Sequence, residues 1–114
     1  MAQFMLLIRG DDEVERSPAE MQGIVEEYMA WARKLRNEGR MLGGDELSAK
    51  GTMVRGFGPS ASASDGPFAE TKEAIGGYFL IEAASHDDAV EIAKACPGLK
   101  RGGAVEVRGI VDHS

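Results

Sequence analysis

From Ser17 to Gly39 the sequence spells one long amphipathic helix, and in a chain of 114 residues that element dictates most of what else can form. Ser17-Pro18-Ala19-Glu20 is a helix start in which three residues have a task. The serine hydroxyl caps free first-turn amides, proline suits the first helical position, and the glutamate completes a capping box. Met21, Ile24, Val25, Tyr28, Trp31, Ala32 and Leu35 then recur at three- and four-residue spacing and define one apolar face. Gly39 supplies the stop, since a left-handed position after the last turn suits glycine. Such a helix needs an apolar surface to lie on, and 12.2 kDa leaves room for a single domain over residues 1–114.

The remaining segments read as that surface. Phe4–Ile8 is an apolar run of strand length, giving a buried strand over Gln3–Arg9. Met41–Leu47 and Thr52–Phe57 are weaker strands, with Lys50-Gly51 suited to a turn between them. The small polar stretch from Gly58 to Ser64 reads as a turn leading into an extended segment or loop, and Asp65-Gly66-Pro67-Phe68 as a tight turn. Phe68–Ala74 fits a brief helical turn, and Tyr78–Ala83 a strand. Ser85 caps a second helix with Asp88 at the capping-box position and Ala89, Val90, Ile92 and Ala93 facing inward, and Pro97-Gly98 ends it. Ala104–Val111 alternates as a half-buried strand does. The order is an α+β, ferredoxin-like βαββαβ with one inserted loop. Two helices on one face of an antiparallel sheet leave the other face bare, so a homodimer packed sheet to sheet is expected.

Composition narrows the function classes. Nineteen acidic against thirteen basic residues give a net charge of -6, which disfavours direct binding to nucleic acid. The basic group Arg33, Lys34 and Arg36 reads as a solvated helix face. One cysteine, Cys96, cannot form an internal disulfide and suits a reducing cytoplasm. The first apolar run is too short for a signal peptide or a membrane span. Two histidines and one cysteine match no metal-ligand spacing. Gly56-Phe57-Gly58 begins like a dinucleotide fingerprint, but Ala61 replaces the third glycine and Pro59 removes the helix that would receive a pyrophosphate. No cofactor is expected.

Residues 65–81, Asp-Gly-Pro-Phe-Ala-Glu-Thr-Lys-Glu-Ala-Ile-Gly-Gly-Tyr-Phe-Leu-Ile, resemble the DGPF branch of the YCII-related proteins. The resemblance extends through Phe4–Ile8, Glu38–Gly44, Cys96-Pro97 and Gly102–Arg108. It implies a ferredoxin-like subunit forming a dimeric α/β barrel. In the shorter YCII branch a helix histidine and an aspartate before a proline are viewed as a catalytic pair. Tyr28 and Cys96 match those positions here, so dehydrochlorination, the activity of one relative resembling that branch, does not carry over. The resemblance also implies a second reading, a protein-interaction module linked to sigma-factor-dependent transcription regulation.

The first reading is a small-molecule-binding protein or cofactor-independent enzyme with a pocket near the DGPF loop. Asp65 is the candidate catalytic base or ligand anchor, with an Asx-type turn as the alternative. Phe68, Glu70 and Lys72 are candidate ligand contacts for a small aromatic or anionic molecule, the ring giving area and the lysine charge. Glu70 and Lys72 share a face only if that stretch is extended. Tyr28 is the fourth candidate contact, with core packing the alternative for it and for Trp31. Cys96 reads as a small buried hydrophobe rather than a nucleophile.

Overall fold

A computed structural model describes residues 1–10, 16–48, 50–66 and 75–114. Helix α1 (Pro18–Asn37) begins with the full capping box: Ser17 Oγ accepts from the Glu20 amide at 3.2 Å and Glu20 Oε1 from the Ser17 amide at 3.0 Å. Lys34 and Arg36 occupy its last turn, where cations suit the helix dipole. Trp31, Ala32 and Leu35 are buried, whereas Met21 and Val25 are 45% and 47% exposed. The expected inward face is therefore shortened. Periodicity says which side of a helix faces inward, but not how far along it the sheet reaches.

The sheet that receives α1 has four antiparallel strands: β1 (Ala2–Arg9), β2 (Met41–Glu46), β5 (Ile75–Ala83) and β6 (Ala104–Gly109), in the order β2-β5-β1-β6. Helix α2 (His86–Ala93) connects β5 to β6. This is the ferredoxin-like βαββαβ topology. Phe4, Leu6, Ile81 and Ala83 from the sheet form one core with Trp31 and Leu35 of α1 and Ala89 and Ala93 of α2, so both helices lie on the same face. Cross-strand partners share a face. Leu7 pairs with Tyr78 and Glu106, and Asp45 with Tyr78; Met5 pairs with Leu80 and Arg108. Those residues alternate with the core residues and make up the opposite, open face. Among the described residues no helix is long and apolar enough to cross a membrane.

Between β2 and β5 the chain leaves the sheet as a separate hairpin of β3 (Thr52–Arg55) and β4 (Ser62–Asp65), joined through a 3-10 helix at Gly58–Ser60. The Leu47 amide donates to Gly76 O at 2.9 Å and the Gly66 amide to Gly51 O at 2.7 Å, closing the bases of the two ladders. All strand residues of this hairpin are exposed. β3 stops at Arg55, short of the expected Phe57, because Gly56 turns the backbone at φ 91. The stretch read as extended segment or loop is in fact a strand from Ser62. Of the expected tight turn Asp65–Phe68, Asp65 instead ends β4, held opposite Thr52, while Pro67, Phe68 and the helical turn expected over Phe68–Ala74 lie outside the described residues.

Helix α2 carries half a capping box. Ser85 Oγ accepts from the Asp88 amide at 3.1 Å, but the shorter aspartate takes other partners: its Oδ2 accepts from the Ala84 amide at 2.9 Å and Arg40 Nη1 at 3.0 Å. The Ala84 amide first, then Arg40, hold the Asp88 carboxyl below the ordinary carboxylate range. The helix ends at Ala93, and Pro97 opens a 3-10 helix over Pro97–Arg101 rather than simply ending α2.

Candidate functional site

Three elements meet where α1 crosses the sheet near Pro97. α1 contributes Glu27, Tyr28 and Trp31, β5 contributes Phe79, and the Pro97–Arg101 helix contributes its N-cap Cys96 and its basic end. Tyr28 lies parallel to Phe79, with ring centroids 6.4 Å apart, and Phe79 meets Trp31 edge-on at 5.1 Å. Both spacings are in the range of favourable aromatic pairs. Tyr28 is half-buried.

Its hydroxyl accepts from Cys96 Sγ at 3.9 Å and faces Gly98, where any Cβ would overlap the phenol oxygen. Glycine at 98 is thus the condition for Tyr28 to lie flat against the 3-10 helix. Cys96 is 2% exposed, and burial pushes its thiol up; the Gly98 amide, the Tyr28 hydroxyl and the Arg101 charge oppose this less strongly. The thiol is therefore protonated at neutral pH and poorly nucleophilic. The two positions matched to the catalytic pair of the shorter YCII branch do come into contact, 68 residues apart in sequence, but as a phenol and a thiol.

A charged cluster adjoins them. Lys100 Nζ donates to Glu27 Oε2 at 3.1 Å and Arg101 Nη2 to Glu27 Oε1 at 2.5 Å, while Arg101 Nη1 donates to Pro97 O at 3.1 Å. The Lys100 hydrogen bond, then the Arg101 and Lys100 charges, hold the Glu27 carboxyl below its ordinary range. The Arg101 side chain is only 14% exposed, so its head is fixed rather than sweeping solvent.

The other candidates from the sequence are placed differently. Asp65 ends β4 on the exposed hairpin, where its Oδ1 accepts from Thr52 Oγ1 at 3.0 Å. The structure does not gather Asp65 and Tyr28 into one cluster. Phe68, Glu70 and Lys72 lie outside the described residues. Two shallow grooves, of about 240 and 320 Å³, are lined by Trp31, Arg40 and Asp88 and by Val90, Leu99 and Val107 among others; neither includes Asp65 or Tyr28. Sequence reading missed Glu27, Phe79, Gly98, Lys100 and Arg101. The signal available was Pro97-Gly98 followed at once by Lys100-Arg101, a basic pair on a fixed turn. Among the described residues no cluster of three or more His, Cys, Asp or Glu side chains is set to hold a metal.

The fold and seam define a small ferredoxin-like α+β domain with an aromatic and charged seam between its long helix, its sheet and the Pro97–Arg101 helix. A family model described as the YCII-related domain matches residues 2–114, and the chain belongs to that family. An uncharacterised protein of Rhizobium meliloti (strain 1021) is 34% identical over 83 residues, which are 73% of this chain and 63% of that relative. The chain thus spans a little under two thirds of that relative's length. Among solved structures, 5-chloro-2-hydroxyhydroquinone dehydrochlorinase from Burkholderia phenoliruptrix AC1100, in complex with 2,5-dihydroxybenzoquinone, aligns with a TM-score of 0.48 at 19% identity, covering 97% of this chain and 95% of the enzyme.

Proposed function

We propose that the chain is a small-molecule-binding protein that works as a homodimer, with its ligand seated beside Tyr28 at the seam between α1 and the Pro97–Arg101 helix. The observation that carries this reading is the convergence of Lys100 and Arg101 on one carboxylate, Glu27, next to the Tyr28–Phe79 ring pair. An anionic ligand group can take the place of the Glu27 carboxylate on the two cations, while its ring lies against Tyr28. Charge-assisted hydrogen bonds supply orientation and the rings supply contact area. Small aromatic acids are the matching class.

Binding is favoured over catalysis because the carboxylate of the seam, Glu27, is already engaged by Lys100 and Arg101. The buried thiol is protonated and donates to the phenol oxygen, so it is not set to take a proton at neutral pH. Asp65, engaged with Thr52 on the hairpin, serves the strand pairing in this reading. The homodimer is supported by the open sheet face. Met5, Leu7, Tyr78 and Leu80 point away from both helices, and none of them belongs to the buried core.

The test is a calorimetric titration with benzoate, 4-hydroxybenzoate and salicylate. Saturable binding is expected, weakened at least tenfold by Arg101→Gln, which removes the cation, and by Tyr28→Ala, which removes the ring. Absence of binding by all three probes, or unchanged affinity in both variants, overturns the seam as the site.

A further inference from the structure

The β3–β4 hairpin spends residues on a surface its own chain does not use. Phe57 is 93% exposed in the connection, and Val54 64% and Met53 37% on a pair of strands with no buried residue. Two-stranded hairpins are marginal in water without a surface to pack on. Gly56 and Gly58 flank Phe57 at φ 91 and φ 69, a backbone that holds the phenylalanine outward on a turn no other residue type enters easily. A Cβ at Gly56 would also press on Ala61 Cα at 3.2 Å. The motif that imitates a dinucleotide fingerprint is therefore a mount for one ring. The molecule is correspondingly spread: its radius of gyration is 16.0 Å, where a compact chain of this length has about 13 Å, and its extents are 47 × 46 × 18 Å.

We infer that this hairpin is an exchange arm: in the homodimer each protomer lays Val54 and Phe57 on its partner. Charge favours a second copy as the occupant. The arm, residues 50–66, carries Lys50 and Arg55 against the single carboxylate Asp65, whereas the rest of the chain holds eleven basic and eighteen acidic side chains. An arm of the minority sign finds its complement on another copy of the same acidic body. On the open sheet face Arg9 and Arg108 are both engaged with Glu106, Asp45 and Glu82 add two further carboxylates, and Glu46 at the end of β2 leads into the arm. Because β2 is an edge strand of that sheet, the arm leaves the molecule at the edge of the sheet, where it can reach a neighbour. Two-fold exchange then closes, each arm occupying the site its twin offers.

The inference rests on the homodimer reading above, and equilibrium sedimentation separates the two. Val54→Ser with Phe57→Ser removes apolar surface without adding charge, at exposed positions that the protomer fold does not need. The expected result is a dimeric wild type whose dissociation constant rises at least a hundredfold in the double variant. Phe57→Trp should in turn add to the Trp31 emission a second blue component that shifts red as dilution separates the protomers. A dimeric wild type with an unchanged constant in the double variant overturns the arm and leaves the homodimer standing. A wild type that is monomeric throughout overturns both, and a mass above two chains overturns closed exchange.

Discussion

The ladders β1–β5 and β3–β4 share one antiparallel hydrogen-bond geometry and differ in what lies on their faces. In the first, Leu6 and Ile81 are 0% exposed beneath two helices. In the second, every strand residue is exposed, and Thr52 donates a side-chain hydrogen bond across it to Asp65. Backbone hydrogen bonds exchange with water at small net gain, so the ladders have equal chemistry and unequal stability. Burial decides which one anchors the protomer, and exposure decides which one is available to a neighbour.

Substitutions at three places break or sharpen this contrast. The largest effect is expected at Ile81→Ala, where loss of buried volume costs about 3 kcal/mol in urea unfolding. A loss below about 1 kcal/mol would mean the core collapses readily and would narrow the gap between the ladders. Gly98→Ala should cost about 2 kcal/mol, because its Cβ enters the space of the Tyr28 hydroxyl. Most of that cost should vanish in a Tyr28→Phe background, and a double-mutant cycle with no coupling would refute the close approach. The smallest effect belongs to Asp65→Asn, which keeps an acceptor for Thr52 at an exposed site and should stay within about 0.5 kcal/mol. A larger loss would place the hairpin within the cooperative core.

Much of the body was legible because its signals are local. Ser17, Pro18 and Glu20 define the start of α1 by capping chemistry alone, and Phe4–Ile8 is apolar enough to mark β1 without context. Ser62–Asp65 was not legible as a strand, since Ser-Ala-Ser-Asp has little strand propensity. It is extended because Thr52–Arg55 lies opposite it. The seam was the least legible part. Tyr28 carried a helix periodicity that equally means core, and its meeting with Cys96 depends on how β5, α2 and the Pro97 turn return the chain to α1. Glu27 gave no signal at all until Lys100 and Arg101 stood beside it.

The Leu47–Gly76 bond has an evolutionary consequence. It closes β2 onto β5 as if they were joined by a short turn, so residues 48–75 amount to an elaborated hairpin loop. Loop closure costs only about 0.6 kcal/mol for each doubling of length, and a family built on this sheet can lengthen, shorten or exchange the segment between those residues with little charge to the core. Lineages can therefore rewrite which surface they present to one another while inheriting the same sheet.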